Sequence, residues 1–226
     1  MSFIVENTAP IGDFKPVPAG LHLARCYRII DLGTQRSEYD GQEKHQRKIM
    51  LGWELHGKDD DGEELVTDRG DPLAIFKNYT LSWSEKANLR IDLQNWRNKP
   101  FTDTEMRRFD IQSILGAWCM LTVIQRAGKK PGKTEKMYAN VKAVSPVPSV
   151  IKSAGLPPAI NPNQVFRIAE PDYELFETFG KGLKAMIEES PEWQALQGRK
   201  PAPKPVKAGS GNANSGFDDM DSDLPF

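Results

Sequence analysis

The stretch RKIMLGWELHG, residues 47–57, decides the fold because its apolar residues recur at every second position. One face of a strand with this spacing would carry Ile49, Leu51, Trp53 and Leu55, and the other face would carry the residues between them. Successive side chains of a β-strand point to opposite faces, so this period of two predicts a strand with one face in a core.

Further strands are predicted on both sides of this stretch. Residues 19–35, AGLHLARCYRIIDLGTQ, are rich in apolar and β-branched side chains and predict a long first strand. A polar loop with an Asp-Gly turn signal, SEYDGQEKHQ at residues 37–46, follows it. Residues 73–81 predict a third strand, and residues 113–128 and 136–144 predict two more.

A change of period between the third and fourth strands predicts a helix in residues 84–99. Leu89, Leu93 and Trp96 fall at helical spacing, and we expect Trp96 to pack this helix on the sheet. Ser84 can cap the first turn through its hydroxyl oxygen. A second capping signal, TDTEMRRF, predicts a short helix in residues 102–109.

The order strand, strand, strand, helix, strand, strand predicts a mainly β fold. It is the chain order of a five-stranded OB-fold, a small closed Greek-key barrel with a helix between strands 3 and 4. Segregated α+β layers are the alternative architecture. The barrel domain would occupy residues 1–150.

Two further regions are predicted after the barrel. Residues 151–197 would form a C-terminal extension, in which the apolar spacing of residues 171–189 predicts one amphipathic helix. That helix could pack on the barrel or on a second copy, which allows self-association. Residues 198–226 read as a flexible linker, rich in Pro, Lys, Gly and Ser, followed by an acidic tail.

The composition argues against several classes of protein. No run of about 18 apolar residues occurs, so we expect no membrane span and no membrane partner. The start of the chain, MSFIVENTAP, lacks the features of a signal peptide. Cys26 and Cys119 lie in separate apolar strands and are expected to be buried free thiols rather than a disulfide. The three histidines share no ligand spacing, which predicts no metal site.

One stretch resembles a nucleotide-binding motif. AGKKPGKT, residues 127–134, matches a loose Walker A pattern, but a true P-loop is followed by a helix. The residues after it have strand spacing instead, so we interpret it as a basic hairpin tip. The acidic run at residues 59–64 is interpreted as a solvated turn. We therefore predict that the protein is not an enzyme and needs no cofactor.

The charge is divided unevenly along the chain. It has 30 basic and 31 acidic residues, yet residues 217–226 contain four of the acids and no base. The rest of the chain therefore has a net positive charge. A weakly basic body with an acidic end suggests a polyanionic ligand, with a simple solubility tail as the alternative.

Several stretches together resemble the single-stranded DNA-binding proteins of tailed bacteriophages. They are PAGLHLARCYRIIDLGTQ, LGWEL, YTLSWSEKANLRIDLQNWRNKPFT, ILGAWCMLTV and KMYANVKAV, within residues 18–144. The end of the chain is similar to the tails of bacterial and phage single-stranded DNA-binding proteins, which finish in an acidic run and Pro-Phe. This chain is longer than the bacterial proteins and has a larger helical insertion, so their tetramerisation is not carried over.

The resemblance implies both a function and a place of action. It implies an OB barrel that coats single-stranded DNA during phage DNA replication, recombination and repair. It further implies that the tail recruits replication and repair proteins, in the cytoplasm of the infected bacterial host. The alternative is a replication adaptor or host-protein inhibitor that binds DNA only weakly. A nucleotide hydrolase is a distant third.

Candidate DNA-binding residues follow from what a single strand exposes. Its bases need aromatic platforms and its phosphates need cations, which OB-folds carry on strands 2 and 3 and on loops 1–2 and 4–5. The candidates are Arg36, Tyr39, Lys44, His45, Arg47, Lys48, Phe76, Lys77, Tyr79, Trp83, Arg126, Lys129, Lys130, Lys133, Tyr138 and Lys142. A core position is the alternative for Phe76, Trp53 and Trp118, whereas Tyr39 in its polar loop is more typical of a platform.

The tail supplies a second set of candidates, for partner binding. They are Asp218, Asp219, Asp221, Asp223, Leu224, Pro225 and Phe226. We expect the acidic run to act as a decoy for the DNA-binding groove and to attract basic patches on partners. The Phe226 ring would enter an apolar pocket while its carboxylate pairs with a cation.

Overall fold

The computed structural model describes residues 16–39, 42–127 and 137–198, and these form a mainly β structure. The strands are β1 (Gly20–Tyr39), β2 (Gln42–His56), β3 (Ala74–Thr80), β4 (Trp118–Ala127), β5 (Met137–Ser145) and β6 (Gln164–Phe166). The helices are α1 (Asn88–Arg97), α2 (Asp103–Arg108), α3 (Ser149–Ala154), α4 (Tyr173–Glu177), α5 (Lys181–Glu188) and α6 (Pro191–Leu196), with a 3₁₀ helix at Ile111–Ile114.

The strands form one sheet in the order β3-β2-β1-β4-β5, and every neighbouring pair in this order is antiparallel. The short β6 pairs in parallel with the middle of β1. β3 and β5 contact each other, but no hydrogen-bonded ladder joins them among the described residues, so the sheet is not closed. The predicted order of strands and helix is confirmed, and α1 contacts both β3 and β5.

The inner core lies between one face of this sheet and α1. The predicted face of β2 is confirmed, because Ile49, Leu51, Trp53 and Leu55 are all at most 3% exposed. Trp96 packs as predicted: its indole N–H donates to the Trp118 carbonyl at 2.9 Å, and its ring lies 6.3 Å from that of Trp53. α1 thereby fills the space between β3 and β5.

The cysteines are buried free thiols, as predicted. Both Cys26 and Cys119 are fully buried in the inner core and are not joined to each other. Burial raises the pKa of the Cys26 thiol to about 12 and raises that of Cys119 well above its ordinary value. Neither thiol is ionised at neutral pH, which makes both poor nucleophiles.

The outer face of β1 and β2 carries a second core, which is covered by the C-terminal extension, here residues 146–198. The sheet contributes Ile30, Leu32 and Met50. The extension contributes Phe166, Ile168, Phe176, Phe179, Leu183, Ile187 and Trp193. The extension therefore packs on the sheet of its own chain, which was one of the two predicted alternatives.

The single helix predicted for residues 171–189 is wrong, because the chain forms two short helices there. Asp172 caps α4 by accepting a hydrogen bond from the Leu175 N–H at 2.9 Å, and α4 ends at Glu177. Gly180 then takes an extended conformation as the N-cap of α5. The break turns Phe176, Phe179 and Leu183 towards the same core, which one straight helix would not do.

The predicted polar loop at residues 37–46 is also largely wrong, because the β1–β2 ladder continues through most of it. Pairing runs from Gly33 opposite Lys48 to Tyr39 opposite Gln42. The last pair between β2 and β3 is Lys48 with Thr80, so the hairpin extends beyond β3 as two strands alone. Residues 33–39 and 42–48 are called the arm below.

Among the described helices, none combines the length and apolar character that a membrane crossing requires.

Candidate nucleic-acid interface

The arm carries exposed basic side chains that are paired with carboxylates. The Arg36 guanidinium lies 2.5 Å from Glu43, and the His45 ring nitrogen lies 2.7 Å from the same carboxylate. Arg47 donates to Asp31 at 2.6 Å. Lys44 is exposed and Lys48 is half-buried. Exposed ion pairs of this kind contribute little stability, so a phosphate could replace the carboxylate at small cost.

Tyr39 is the last residue of β1, and the position of its side chain lies outside what the structure describes. Its role as a stacking platform stays a prediction.

An aromatic and a cation meet on the outer face of β1, β2 and β3. The pairing registers place Arg28, Gly52 and Phe76 in one row across these strands. A Cβ at Gly52 would lie 2.6 Å from the Phe76 ring, so the ring lies directly over the glycine. The Arg28 guanidinium is 5.8 Å from the centre of the half-buried Phe76 ring and 5.2 Å from that of Tyr27.

Arg28 was missed by the sequence analysis, and it is fixed in place by the extension. Its Nε–H donates to the Gln164 side chain at 2.6 Å. Only the strand register brings Arg28 beside Phe76, since the two are far apart in the chain. Together they place an aromatic ring and a positive charge side by side, the two kinds of group that bind a single strand.

The prediction that Tyr79 stacks on a base is wrong, because its ring lies in the inner core. The side chain is 1% exposed, and its hydroxyl donates to Asp92 of α1 at 2.7 Å. The Lys77 ammonium donates to the same carboxylate at 2.8 Å. Lys77 and Tyr79 share one face of β3, but it is the face that holds α1. Burial and the Asp92 charge raise the pKa of Tyr79 well above its ordinary value.

Trp83 belongs to a cluster of aromatic rings just after β3. It is half-buried, and its ring lies 5.0 Å from Phe101 and 5.6 Å from Phe109. Phe101 and Phe109 also line an open cavity of about 480 Å³, together with Arg97, Thr104, Glu105, Arg108, Asp110 and Ser113. The Arg97 hydrogen bond lowers the pKa of Glu105 to about 2, so the cavity wall carries both signs of charge.

The β4–β5 hairpin places two candidates side by side. Arg126 and Tyr138 are direct cross-strand partners, with Arg126 exposed and Tyr138 half-buried. Val141 and Ala139 belong to the inner core, so the alternation of the strand turns Tyr138 outward. Lys142 is exposed at a bulge in β5. Lys129, Lys130 and Lys133 lie outside the described residues, and their roles stay predictions.

The two basic hairpins leave the sheet at opposite ends of β1. β4 pairs with Gly20–Arg25, and its last residues run past Gly20. The arm continues β1 in the other direction, beyond Asp31. The Phe76 row lies between these ends on the outer face, next to the area that the extension covers.

A buried charged network joins the sheet to the extension and was not predicted. Glu54 is fully buried beside Arg25, whose guanidinium lies 3.2 Å away, and beside His56 at the same distance. The Glu54 carboxylate also accepts from the Asn161 backbone and side chain at 2.6 and 2.8 Å. Arg25 donates to the Asn161 carbonyl and to Asn163. This network fastens the segment of the extension just before β6 to β1 and β2.

Residues 128–134 of the Walker-like stretch lie outside the described residues. The next described element is β5, which is a strand, whereas a P-loop is followed by a helix. Across the described ranges, no group of three His, Cys, Asp or Glu side chains is placed to hold a metal ion.

No known protein-family model matches this chain, and no curated protein is significantly similar to it. The resemblance to phage single-stranded DNA-binding proteins is therefore an expectation from the sequence.

Proposed function

We propose that this protein binds and coats single-stranded DNA through a five-stranded OB barrel during phage DNA replication, recombination and repair. The observation that carries the proposal is the sheet order β3-β2-β1-β4-β5 with α1 between β3 and β5. In an OB barrel this order places loops 1–2 and 4–5 on either side of the face that binds oligonucleotides. Those two connections are the arm and the β4–β5 hairpin.

The proposed path of the strand runs between these two hairpins across the Phe76 row. Exposed cations are present at each end, Arg36 and Arg47 on the arm and Arg126 on the hairpin. Phe76 and Arg28 lie between them. The outer face of β1 around Ile30 and Leu32 is excluded from the path, because the extension covers it.

The acidic tail completes the proposal from the sequence. Asp218, Asp219, Asp221 and Asp223 compete with DNA for the cations, and the tip at Leu224–Phe226 recruits replication, recombination or repair proteins. The protein acts in this proposal as a binding protein without catalysis, in the cytoplasm of the infected host.

The test is a titration of fluorescent oligo-dT with the full chain at two salt concentrations. Phosphate contacts release counterions, so the affinity should fall steeply as salt rises. Arg126→Gln should weaken binding and lower the slope of log affinity against log salt by about one. Lys152→Gln removes an exposed positive charge from α3, which carries none of the candidate DNA-binding residues, and should change neither quantity. Absence of oligo-dT binding at low salt would overturn the proposal.

A second candidate function is an adaptor or inhibitor that binds a host protein. The ion pairs on the arm favour it, since Glu43 and Asp31 offset Arg36 and Arg47 before any ligand arrives. In that case the salt dependence of oligo-dT binding would be shallow, and Arg126→Gln would leave it unchanged.

A further inference from the structure

The root of the arm is held by the first turn of α6. The Thr34 backbone N–H donates to one oxygen of the Glu192 carboxylate at 2.8 Å, and the Thr34 hydroxyl donates to the other at 2.6 Å. Arg47, on the opposite strand of the arm, lies 3.5 Å from Glu192. One side chain of the extension therefore contacts both strands of the arm.

Two further contacts hold the same root. The Gln35 side-chain amide donates to the Met186 carbonyl at the end of α5 at 3.0 Å. Gly33 has a φ of 71°, and a Cβ there would lie 2.5 Å from the Cβ of Ser190. Ser190 is fully buried and caps α6, with the Trp193 N–H donating to its hydroxyl at 3.3 Å. The helix start and the arm are thus in direct contact.

Glu192 is charged in this position. Its partial burial disfavours the charge, but the hydrogen bonds from Thr34 and the positive charge of Arg47 outweigh burial and lower its pKa. The carboxylate is therefore available at neutral pH to hold both donors of Thr34.

We propose that the extension is a brace that fixes the direction of the arm, with Glu192 as the positioning residue, so that the arm cations meet the phosphates of a bound single strand. This inference rests on the proposed DNA binding. A hairpin of two strands alone is marginally stable in water, and the outer half of the arm has no third strand. Fixing it before binding reduces the ordering that DNA would otherwise have to impose.

The brace and simple electrostatics predict opposite effects of removing the Glu192 charge. Glu192 places a negative charge beside Arg47, so its loss should tighten DNA binding if charge alone matters. If Glu192 positions the arm, its loss should weaken DNA binding, although the protein becomes more positive. Thr34→Val separates the two effects further, because it removes one donor to Glu192 and changes no charge.

The experiment compares Glu192→Gln and Thr34→Val with the wild-type full chain. Glu188→Gln is the matched control, because it removes the same charge from an exposed position on α5. Hydrogen exchange without DNA reports the arm directly, and arm amides should exchange about tenfold faster in Glu192→Gln. Affinity for oligo-dT should fall about threefold or more in both brace variants. Glu188→Gln should leave arm exchange unchanged and should not weaken DNA binding.

The outcomes distinguish this inference from the proposed function. Tighter DNA binding by Glu192→Gln with unchanged arm exchange overturns the brace and leaves DNA binding intact. If neither the wild type nor any variant binds oligo-dT, the proposed function is overturned. The role of the brace in DNA binding is then overturned as well. The exchange rates still decide in that case whether Glu192 holds the arm. If Glu192→Gln does not fold, Thr34→Val gives the same two readouts.

Discussion

Glu54 is a carboxylate without solvent contact, and its charge is sustained by the donors around it. Burial alone would raise its pKa, but hydrogen bonds from Asn161, Ile160 and His56 outweigh burial and lower it from 4.5. A carboxyl group whose pKa is lower in the folded than in the unfolded state stabilises the fold at pH values above its unfolded-state pKa. That contribution is lost as pH falls through the folded-state value.

We expect Glu54→Gln to lower the free energy of unfolding at pH 7 by about 3 kcal/mol, because the amide leaves Arg25 without its buried counter-charge. Its NH₂ group would also face the donors of Asn161. Urea unfolding measures the loss. Below pH 4.5, the ordinary pKa of a glutamate, the stability of the variant should depend less on pH than that of the wild type. Glu63→Gln makes the same change in an exposed turn and should cost less than about 0.5 kcal/mol. Equal stability of the two variants would show that the network is not structural.

Phe76 and Tyr79 are three residues apart on β3 and should respond oppositely to substitution. Phe76→Leu keeps an apolar side chain over Gly52 but removes the aromatic ring. The free energy of binding to oligo-dT should therefore become less favourable by about 1–3 kcal/mol. Tyr79→Phe removes the hydroxyl that donates to Asp92, so it should lower stability by about 1 kcal/mol and leave DNA affinity unchanged. Wild-type affinity in a folded Phe76→Leu protein would remove this ring from the path.

The error at Tyr79 shows what strand parity can and cannot predict. Parity correctly puts Lys77 and Tyr79 on one face of β3, but it does not say which face is inside. Ile75, two residues before Lys77, is 4% exposed and lies on that same face. This apolar neighbour was the available signal that the face is internal. The Asp92 carboxylate that pairs with the partly buried Lys77 and the buried Tyr79 comes from α1, and no local pattern reveals it.

The elements themselves were more predictable than their ends. Alternation on β2 and helical spacing on α1 predicted both elements, because each depends on residues close in the chain. The arm was missed because polar residues do not distinguish a loop from a hairpin that is solvated on both faces. The break between α4 and α5 was missed because the apolar spacing continues across it, and the core that bends the chain includes β1 and β2.

Gly33→Ala tests whether the arm and α6 are held in contact. Gly33 needs a positive φ and also touches Ser190, whereas Gly62 has a φ of 85° with nothing within 4 Å of a Cβ. Gly62→Ala therefore carries only the backbone strain, about 1 kcal/mol. Gly33→Ala should lower the free energy of unfolding by about 2 kcal/mol more, measured by urea unfolding. Equal losses would mean that α6 is not held against the arm.

The extension covers one part of the outer face of the sheet and stops at a defined edge. The covered part holds Ile30, Leu32 and Met50, and the half-buried Phe76 packs against the margin of this core. The sequence predicted an extension and a set of cations, but it could not predict this edge. Which face the extension covers depends on the pairing of β6 with β1 and on the network around Glu54.

The proposed decoy role of the acidic end can be tested by deleting it. Deleting residues 218–226 removes four aspartates. A flexible tether, which the composition of the preceding residues predicts, gives the acidic run a local concentration on the order of millimolar. Its removal should therefore raise affinity for oligo-dT, most at low salt, where screening is weak. A deletion that binds DNA no more tightly at low salt would contradict the decoy.

Deleting Phe226 alone separates the tip from the acidic run. It leaves every aspartate in place, so affinity for oligo-dT should barely change at any salt concentration. An aromatic anchor that fills a pocket carries a large share of binding energy, so contacts with a replication or repair partner should be lost. A pull-down from infected cells with the full chain and the two deletions measures both effects. The larger deletion should lose the same partners while it gains DNA affinity, and retention of every partner without Phe226 would show that the tip is not the anchor.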